Sequence, residues 1–585
     1  MNITSFEIFD KKVFIRTQDR VCETSEELLS STMFRDFLRI AVQRLNKRNS
    51  RLINIFGKND VSDQDIDLLI QTFQFLVKMP GSLVPNIVPG SEVFFRDKGL
   101  FNDFVEDVYN YWRSYDRFLS LDSTNDNLDQ RPYRTFHTTM EHLMHLIRFT
   151  YRDIQENITG SHPRIYRQVR AGAEVATISV PKEIPFKDPV YRKLNAIPVI
   201  RQILLYPPLI LNPPKNTRSG RFERVQENPI EGLDLKTEDW LCYPAKVGPL
   251  TVLIYVHKKF LELGLALCNL FKIADDEDLQ KQPDAVYLFG VPDPALDKFG
   301  TFPTVFYDDE KNGLLSAAIP NRDDFGYYGY LKKMALTLHN IKMMKSGKLP
   351  FHGAFVRVIM KGNKDFTFLF IGDTGAGKSE SLEALRAMGE NDIQDLIVIA
   401  DDMGSLEIDK NGNIIGYGTE IGAFLRLDDL QPGYAFGQID RAIIMSPNKV
   451  NARIVLPVTS YETLIKGHKV EYILYANNYD DIDEEHPILE QFTSADQALK
   501  VFREGTVMSK GTTTTSGLVH SYFANIFGPP QYKDIHDVLA KKYFEAFFKK
   551  NLYVGQFRTR LGLSGWERTG PEEAARELLK IMRGR

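Results

Sequence analysis

Three cysteines in 585 residues, Cys22, Cys242 and Cys268, are too few and too scattered for a disulfide framework or a thiolate metal centre. Their scarcity points to a reducing compartment. Charge of one sign is lacking too. The 73 basic and 77 acidic residues leave a net charge of −4, with pI near 6.3, and no general basic field that would draw nucleic acid. Long apolar runs are missing: the longest, residues 197–211, is broken by Arg201, Gln202, Pro207 and Pro208. It falls short of the roughly 20 residues that a membrane span needs. Residues 1–14 alternate polar and apolar side chains, include acids and have no apolar h-region of an export signal. The Asn-Ile-Thr triplets at Asn2 and Asn157 therefore read as chance. The expectation is a soluble cytoplasmic protein with no membrane or nucleic-acid partner; nothing in the sequence fixes an oligomeric state.

What is present is ordinary globular material, 43% hydrophobic and 26% charged. The length suits two to four domains of about 150 residues each. Residues 1–160 read as a helical N-terminal region. Leu28, Leu29, Phe34, Phe37, Leu38, Ala41 and Leu45 recur at helical spacing between Ser25 and Asn49. A second helix starts at Ser62, and residues 101–119 form a third candidate. Past Pro163 the texture changes to short β-like runs and proline turns, giving a mixed α/β domain over 161–330. A helix from Tyr328 to Met344 leads into residues 331–585, where strands and helices alternate around a sheet. The acidic run Asp480–Glu485 reads as a solvated loop.

The chemistry lies in that last segment. Gly372-Asp373-Thr374-Gly375-Ala376-Gly377-Lys378-Ser379 fits G-x-x-x-x-G-K-[ST], which a chain of this length should contain by chance roughly 0.02 times. An apolar run, Phe368–Ile371, precedes it and a helical pattern from Ser379 follows, as a phosphate-binding loop requires. Glycines let backbone N–H groups converge on phosphate oxygens, and the helix N-terminus adds a favourable dipole. Lys378 would reach the β- and γ-phosphates and the Ser379 hydroxyl would bind Mg²⁺. Downstream, the strand 396–400 ends in Asp401-Asp402; beside the loop strand, it would put carboxylates where Mg²⁺ needs them.

The wider order is similar to one superfamily. Phe351-His352-Gly353, the loop ending Gly-Lys-Ser-Glu380, and Ala400-Asp401-Asp402 resemble the core of HPr kinase/phosphorylase, landmarks shared with phosphoenolpyruvate carboxykinases. Other stretches resemble the carboxykinases: Tyr327-Tyr-Gly-Tyr-Leu-Lys-Lys333, Asn451-Ala-Arg453-Ile-Val-Leu-Pro457, Gln497 to Thr506, Lys510-Gly-Thr512 and Phe527-Gly-Pro529. The likeness runs in order from about residue 320 to 555. It implies an α/β chain (α+β overall) with a phosphoenolpyruvate carboxykinase-like two-lobed fold: a P-loop nucleotide domain at 331–585, a substrate domain at 161–330, and the helical region before them. Glu380, where carboxykinases carry a second threonine, keeps an HPr-kinase-like feature in the loop.

The resemblance also implies roles. Lys333, His352 and Asp402 would ligate a catalytic Mn²⁺, a set whose imidazole and carboxylate suit that ion. A lysine ligates only when deprotonated, which burial and a nearby cation enforce. Ser379 would hold the Mg²⁺ of bound ATP, Lys378 the β/γ-phosphates, and Asp401 would support the metals. Arg453 would face the γ-phosphate and offset its transition-state charge. Each has a plainer alternative: Lys332 and Lys333 as solvated helix residues, His352 as a hydrogen-bonded core histidine, Arg453 as a salt-bridge partner. No stretch is read as the family's Arg-Ser-Pro-Lys-Asp-Lys, whose arginine clamps the substrate carboxylate; Arg164, Arg167 and Arg170 form either a substitute or a charged surface. The leading expectation is ATP-dependent conversion of oxaloacetate to phosphoenolpyruvate, ADP and CO₂ through a metal-stabilised enolate. The alternatives are a kinase that phosphorylates a hydroxyl of a protein or small-molecule phospho-acceptor, with Asp401 as general base, and a nucleotide sensor without turnover.

Overall fold

The computed structural model describes residues 3–18, 20–58, 60–123, 130–362, 364–389, 391–427, 438–510 and 516–584. The chain is mixed α/β, with several mixed sheets. It divides into two compact units: residues 1–182 with 198–206, and residues 183–197 with 207–585. The sequence suggests boundaries near 160 and 330. The structure keeps residues 207–585 in one unit, with no division near 330, and shifts the first boundary because strand Val199–Leu205 returns to pair with Val175–Val180 in the N-terminal unit. Long-range pairing of this kind leaves no trace in local composition.

The N-terminal unit is not purely helical as expected. It carries strands Ile3–Phe9, Lys12–Thr17, Asp116–Asp122, Val175–Val180 and Val199–Leu205, hydrogen-bonded in that order. The helix expected over 101–119 stops at Arg113, and residues 116–119 belong instead to strand Asp116–Asp122, whose Phe118, Leu119 and Leu121 are buried. The expected helix 25–49 is two helices, Ser25–Leu29 and Thr32–Lys47. The Ser31 side chain caps the second by accepting from the Phe34 N–H at 3.0 Å, which ends the first. Ser62 starts the next helix, Asp63–Leu76, through a capping box with Asp65. A helix at Gln130–Thr159 escaped the sequence reading.

In the C-terminal unit one sheet runs Trp240–Val247, Leu250–His257, Ala285–Val291, Leu314–Pro320, Val305–Asp309, Glu223–Val225. The second runs His468–Lys469, Ile414–Gly418, Met403–Ile408, Leu349–Met360, Asp365–Ile371, Tyr472–Asn477, Tyr553–Arg558, Leu489–Gln491. Helix Tyr328–Lys345 packs against strands of both sheets. It is buried nearly all round, polar side chains such as Lys332, His339 and Asn340 included. Among the described residues no helix is long and apolar enough to cross a membrane.

That burial reaches His339, which is fully enclosed, with Nδ1 2.9 Å from Asn340 Oδ1 and a pKa pushed down to about 4 by burial. The folded value lies below the ordinary one near 6.5, so the unfolded chain takes the proton more readily. The stability this neutral imidazole gives is full above about pH 6.5 and is lost as pH falls through about 4. Urea unfolding between those limits is expected to show a decline of about 3 kcal/mol from this group, at roughly 1.4 kcal/mol per pH unit. His339→Gln should flatten the slope, whatever it does to the absolute stability.

Candidate active site

Strand Asp365–Ile371 is apolar from Phe366 onward and delivers the chain into the loop Gly372–Gly377, after which helix Lys378–Met388 begins. Gly377 turns the corner at φ +89°, and a Cβ there would stand 2.4 Å from Thr559 Oγ1. Only glycine satisfies both demands. The same Thr559 hydroxyl donates to the Ala376 carbonyl at 2.8 Å, and Asn478 Nδ2 donates to the Gly375 carbonyl at 2.9 Å. The loop is thus braced from two sides. The Thr374 N–H donates to Asp373 Oδ1 at 2.7 Å, and Ser379 is exposed in the first helical turn, where N–H groups have no partner within the helix. Lys378 is buried and donates to the carbonyls of Gly372 and Asp373 at 2.6 and 2.8 Å. Burial lowers its pKa, against the pull of Asp373 and then Asp402.

Asp402, His352 and the loop are joined through their backbones. The Gly372 N–H donates to the His352 carbonyl at 3.2 Å, and the Gly353 N–H donates to the Asp402 carbonyl at 2.9 Å. Gly353 is required by close approach, since a Cβ there would lie 2.0 Å from the Phe370 carbonyl oxygen. One expectation needs correction. The strand leading to Asp401, Ile393–Ala400, is not beside the loop strand; Leu349–Met360, which carries His352, lies between and pairs with both. The intervening strand brings its own ligand candidate into the row.

The side chains converge on the Asp402 carboxylate. His352 Nε2 is 2.9 Å from Oδ1, Lys333 Nζ 2.5 Å from Oδ2, and Lys332 Nζ 2.8 Å from Oδ2. His352 Nδ1 is bonded to the Ala524 carbonyl, which turns Nε2 toward Asp402. Neither lysine is solvated: Lys332 is 1% exposed and Lys333 is half-buried. Burial opposes ionisation of Asp402, yet Lys332 and Lys333, then His352, hold its carboxyl well below the usual carboxylate range. Burial likewise works against the Lys332 ammonium, but Asp402 and then Glu420 raise its pKa. In Lys333 burial wins, aided by the neighbouring Lys332, and the pKa falls. Asp401 is raised by burial, against Lys332.

Among the described residues no group of three or more His, Cys, Asp and Glu forms a metal site. The present set has only two such residues, with lysine as the third donor. It fits a divalent ion on its own terms: an imidazole nitrogen fixed by its far side, a carboxylate, and an amine whose proton burial weakens.

A second group of side chains surrounds this centre. The Arg453 guanidinium lies 5.2 Å from the Phe424 ring centroid, with Nε lacking a hydrogen-bond partner, so the salt-bridge alternative has no carboxylate to carry it among the described ion pairs. Arg218 lies 5.3 Å from the Phe527 centroid, and Lys333 Nζ lies 4.7 Å from the same centroid. Its flanks are pinned. The Tyr330 hydroxyl accepts from the Ser219 N–H at 2.8 Å, while Asn451 Nδ2 donates to the Asn216 carbonyl at 2.6 Å. Arg218 thus sits between the lysine helix and the Arg453 strand, and both arginines act electrostatically on Tyr327. Arg164 and Arg167 are exposed, and Arg170 donates to the Tyr206 carbonyl, all within the N-terminal unit; they read as the charged surface.

Sequence reasoning missed Lys332, Arg218 and Glu420. For Arg218 a signal existed: Arg218-Ser219 shares the first two residues of the substrate-clamp motif. Nothing marks Glu420. It is 1% exposed and 3.2 Å from Lys332 Nζ, close enough for an ion pair, yet neither carboxyl oxygen has hydrogen-bond geometry to a partner. Burial pushes its pKa up to about 8. Asp480–Glu485 is a largely exposed loop, as expected. Gly511 and Thr512 of the Lys510-Gly-Thr motif, and Asn2, lie outside the described residues. Compared with known proteins, the chain matches no family model and no curated protein.

Proposed function

We propose that the protein is an ATP-dependent phosphoenolpyruvate carboxykinase-like enzyme, with that family's two-lobed fold, acting on oxaloacetate to give phosphoenolpyruvate, ADP and CO₂. One observation carries the reading: Lys333, His352 and Asp402 meet at a single carboxylate whose backbone is two hydrogen bonds from the start of the phosphate loop. A nucleotide sensor has no use for this second set beside its loop. Lys333, His352 and Asp402 would hold Mn²⁺, and Ser379 the Mg²⁺ of ATP. When bound, these ions act as Lewis acids that offset charge on the enolate and phosphoryl oxygens.

The chain's own side chains do the rest. The bond to the departing CO₂ breaks, its electron pair moves to the enolate oxygen, and that oxygen attacks the γ-phosphorus as the bond to ADP breaks. Lys332, its pKa raised by Asp402 and Glu420, holds Asp402 as the carboxylate, while Lys333, its pKa lowered by burial, would be the lysine to serve as an amine ligand. Lys378 leaves its loop carbonyls for phosphate oxygens. Arg453 is free at Nε to meet the transferring group. Arg218, 5.1 Å from the Phe222 centroid and 5.3 Å from the Phe527 centroid that Lys333 also approaches, would supply the fork that a substrate carboxylate needs.

With Mn²⁺, Mg²⁺, ATP and oxaloacetate, the purified protein is expected to form phosphoenolpyruvate and ADP one to one. The raised pKa of Asp401 favours a second reading, in which it takes the proton of an acceptor hydroxyl. ATP consumption with phosphate on a hydroxyl, and no phosphoenolpyruvate, would select it; no consumption with either acceptor would sink both. Under the first reading, Arg218→Ala should raise KM for oxaloacetate by about 10–100-fold, the loss of one charged hydrogen-bonding partner, with KM for ATP within about twofold. Lys in its place should not restore it, because an ammonium lacks the planar fork.

A further inference from the structure

The N-terminal unit holds a partly open cavity of about 100 Å³ where its helices meet the sheet. Leu28, Phe37, Val105, Val108, Leu143 and Ile154 are among its walls. Among the described residues Arg117 is the only charged one that lines it, and its guanidinium is bonded to groups of the surrounding chain. Nε donates to the Gly172 carbonyl at 2.8 Å, Nη1 donates to the Arg113 and Tyr115 carbonyls at 3.0 and 2.5 Å, and Nη2 pairs with Glu174 at 3.2 Å. Three other polar side chains of the lining have partners: Trp112 Nε1 donates to the Ala171 carbonyl at 2.6 Å, Thr150 Oγ1 meets Ser25 Oγ at 2.8 Å, and the Tyr151 hydroxyl donates to Glu106.

Two physical facts give this space a meaning. Protein interiors are packed with few voids larger than a water molecule, and this one has the volume of about three waters. Water is a poor occupant, because it needs two to four polar partners and the lining directs its donors elsewhere. An apolar cavity of similar size, walled by leucine, isoleucine and phenylalanine, stays dry and takes benzene or xenon. The stacked rings of Tyr109 and Tyr151, centroids 3.8 Å apart, are half-buried, as are Phe34 and Ile147 of the same lining. We propose that this cavity is a binding site for a small uncharged hydrocarbon group, aromatic or short alkyl, separate from the phosphate loop and its metal centre. A charged ligand is excluded by the absence of any free counter-charge on the walls.

Saturation-transfer NMR of benzene with the full chain tests this, with benzoate as the charged control. A saturable benzene signal, at least tenfold weaker for benzoate, is the expected result. Ile147→Trp and Val108→Phe, which push bulk into the space, should each weaken benzene binding at least tenfold while thermal unfolding stays cooperative. The inference is overturned by the absence of a saturable benzene signal, by benzoate binding equally, or by a folded variant of either kind that binds benzene undiminished. Should both variants misfold, the benzene and benzoate titrations of the unaltered chain decide the matter.

Discussion

Asp402→Asn is expected to cut turnover of ATP at least a thousandfold and to lower the stability of the C-terminal unit by about 3–5 kcal/mol, the range for removing one partner of a buried charge pair. The reason lies in the surroundings. Lys332 at 2.8 Å, Lys333 at 2.5 Å and His352 at 2.9 Å all look to this one carboxylate. Glu420, 3.2 Å from Lys332 Nζ, is the remaining acid beside that lysine, but burial opposes its ionisation, so it offsets only part of the loss. An asparagine keeps the shape and loses the charge, so the buried Lys332 ammonium loses its nearer counter-charge and keeps only Glu420. The pH dependence follows in sign. The Asp402 carboxyl is held below its unfolded value, so its stabilisation is complete above about pH 4 and fades as pH falls further. Urea midpoints of the two proteins should therefore differ most near neutrality and draw together in acid. Equal midpoints at pH 7 would mean that charge does not hold this cluster.

The parts of the site that could be read from the sequence are those whose chemistry is compact along the chain. The loop Gly372–Ser379 needs consecutive residues to shape one turn, so strand, glycines and lysine stand together and identify themselves. His352 and Lys333 carry no such local mark, and only the order of neighbouring motifs singled them out. Lys332 and Glu420 were beyond reach for a physical reason. A lysine pair on a helix is solvated by default, and only the packing of Tyr328–Lys345 against two sheets takes Lys332 out of water. Arg218 is placed by Asn216 and Ser219, whose partners Asn451 and Tyr330 lie 235 and 111 residues away. The same rule applies to the fold. Helix starts with a capping serine, such as Ser62, were visible, and so were the strands around the loop. The return of Val199–Leu205 to the N-terminal unit was not, because a residue's strand partner is written nowhere near it. Local patterning shows elements; the pairing that closes a site is decided by packing.

Lys378→Met should match Asp402→Asn in lost turnover, about a thousandfold or more, yet leave stability within about 1 kcal/mol of the unaltered protein. Two effects oppose each other in the folded state. The substitution leaves the Gly372 and Asp373 carbonyls without their donor, which costs about 1–3 kcal/mol if they stay dry. It also removes an ammonium that burial disfavours, as its lowered pKa reports, and puts an apolar chain of similar length in the same space. In the reaction nothing offsets the loss, because the charge that builds on the transferring phosphoryl group meets no cation from the loop. Thermal unfolding and an ADP-release assay on the same preparations separate the two variants. Asp402 should fail in both, since it holds the site together; Lys378 should fail only in the assay, since its partner of consequence is the nucleotide. Retained turnover in Lys378→Met would move the phosphate site away from the loop, and a collapse of stability would make the lysine a structural clamp of its own carbonyls.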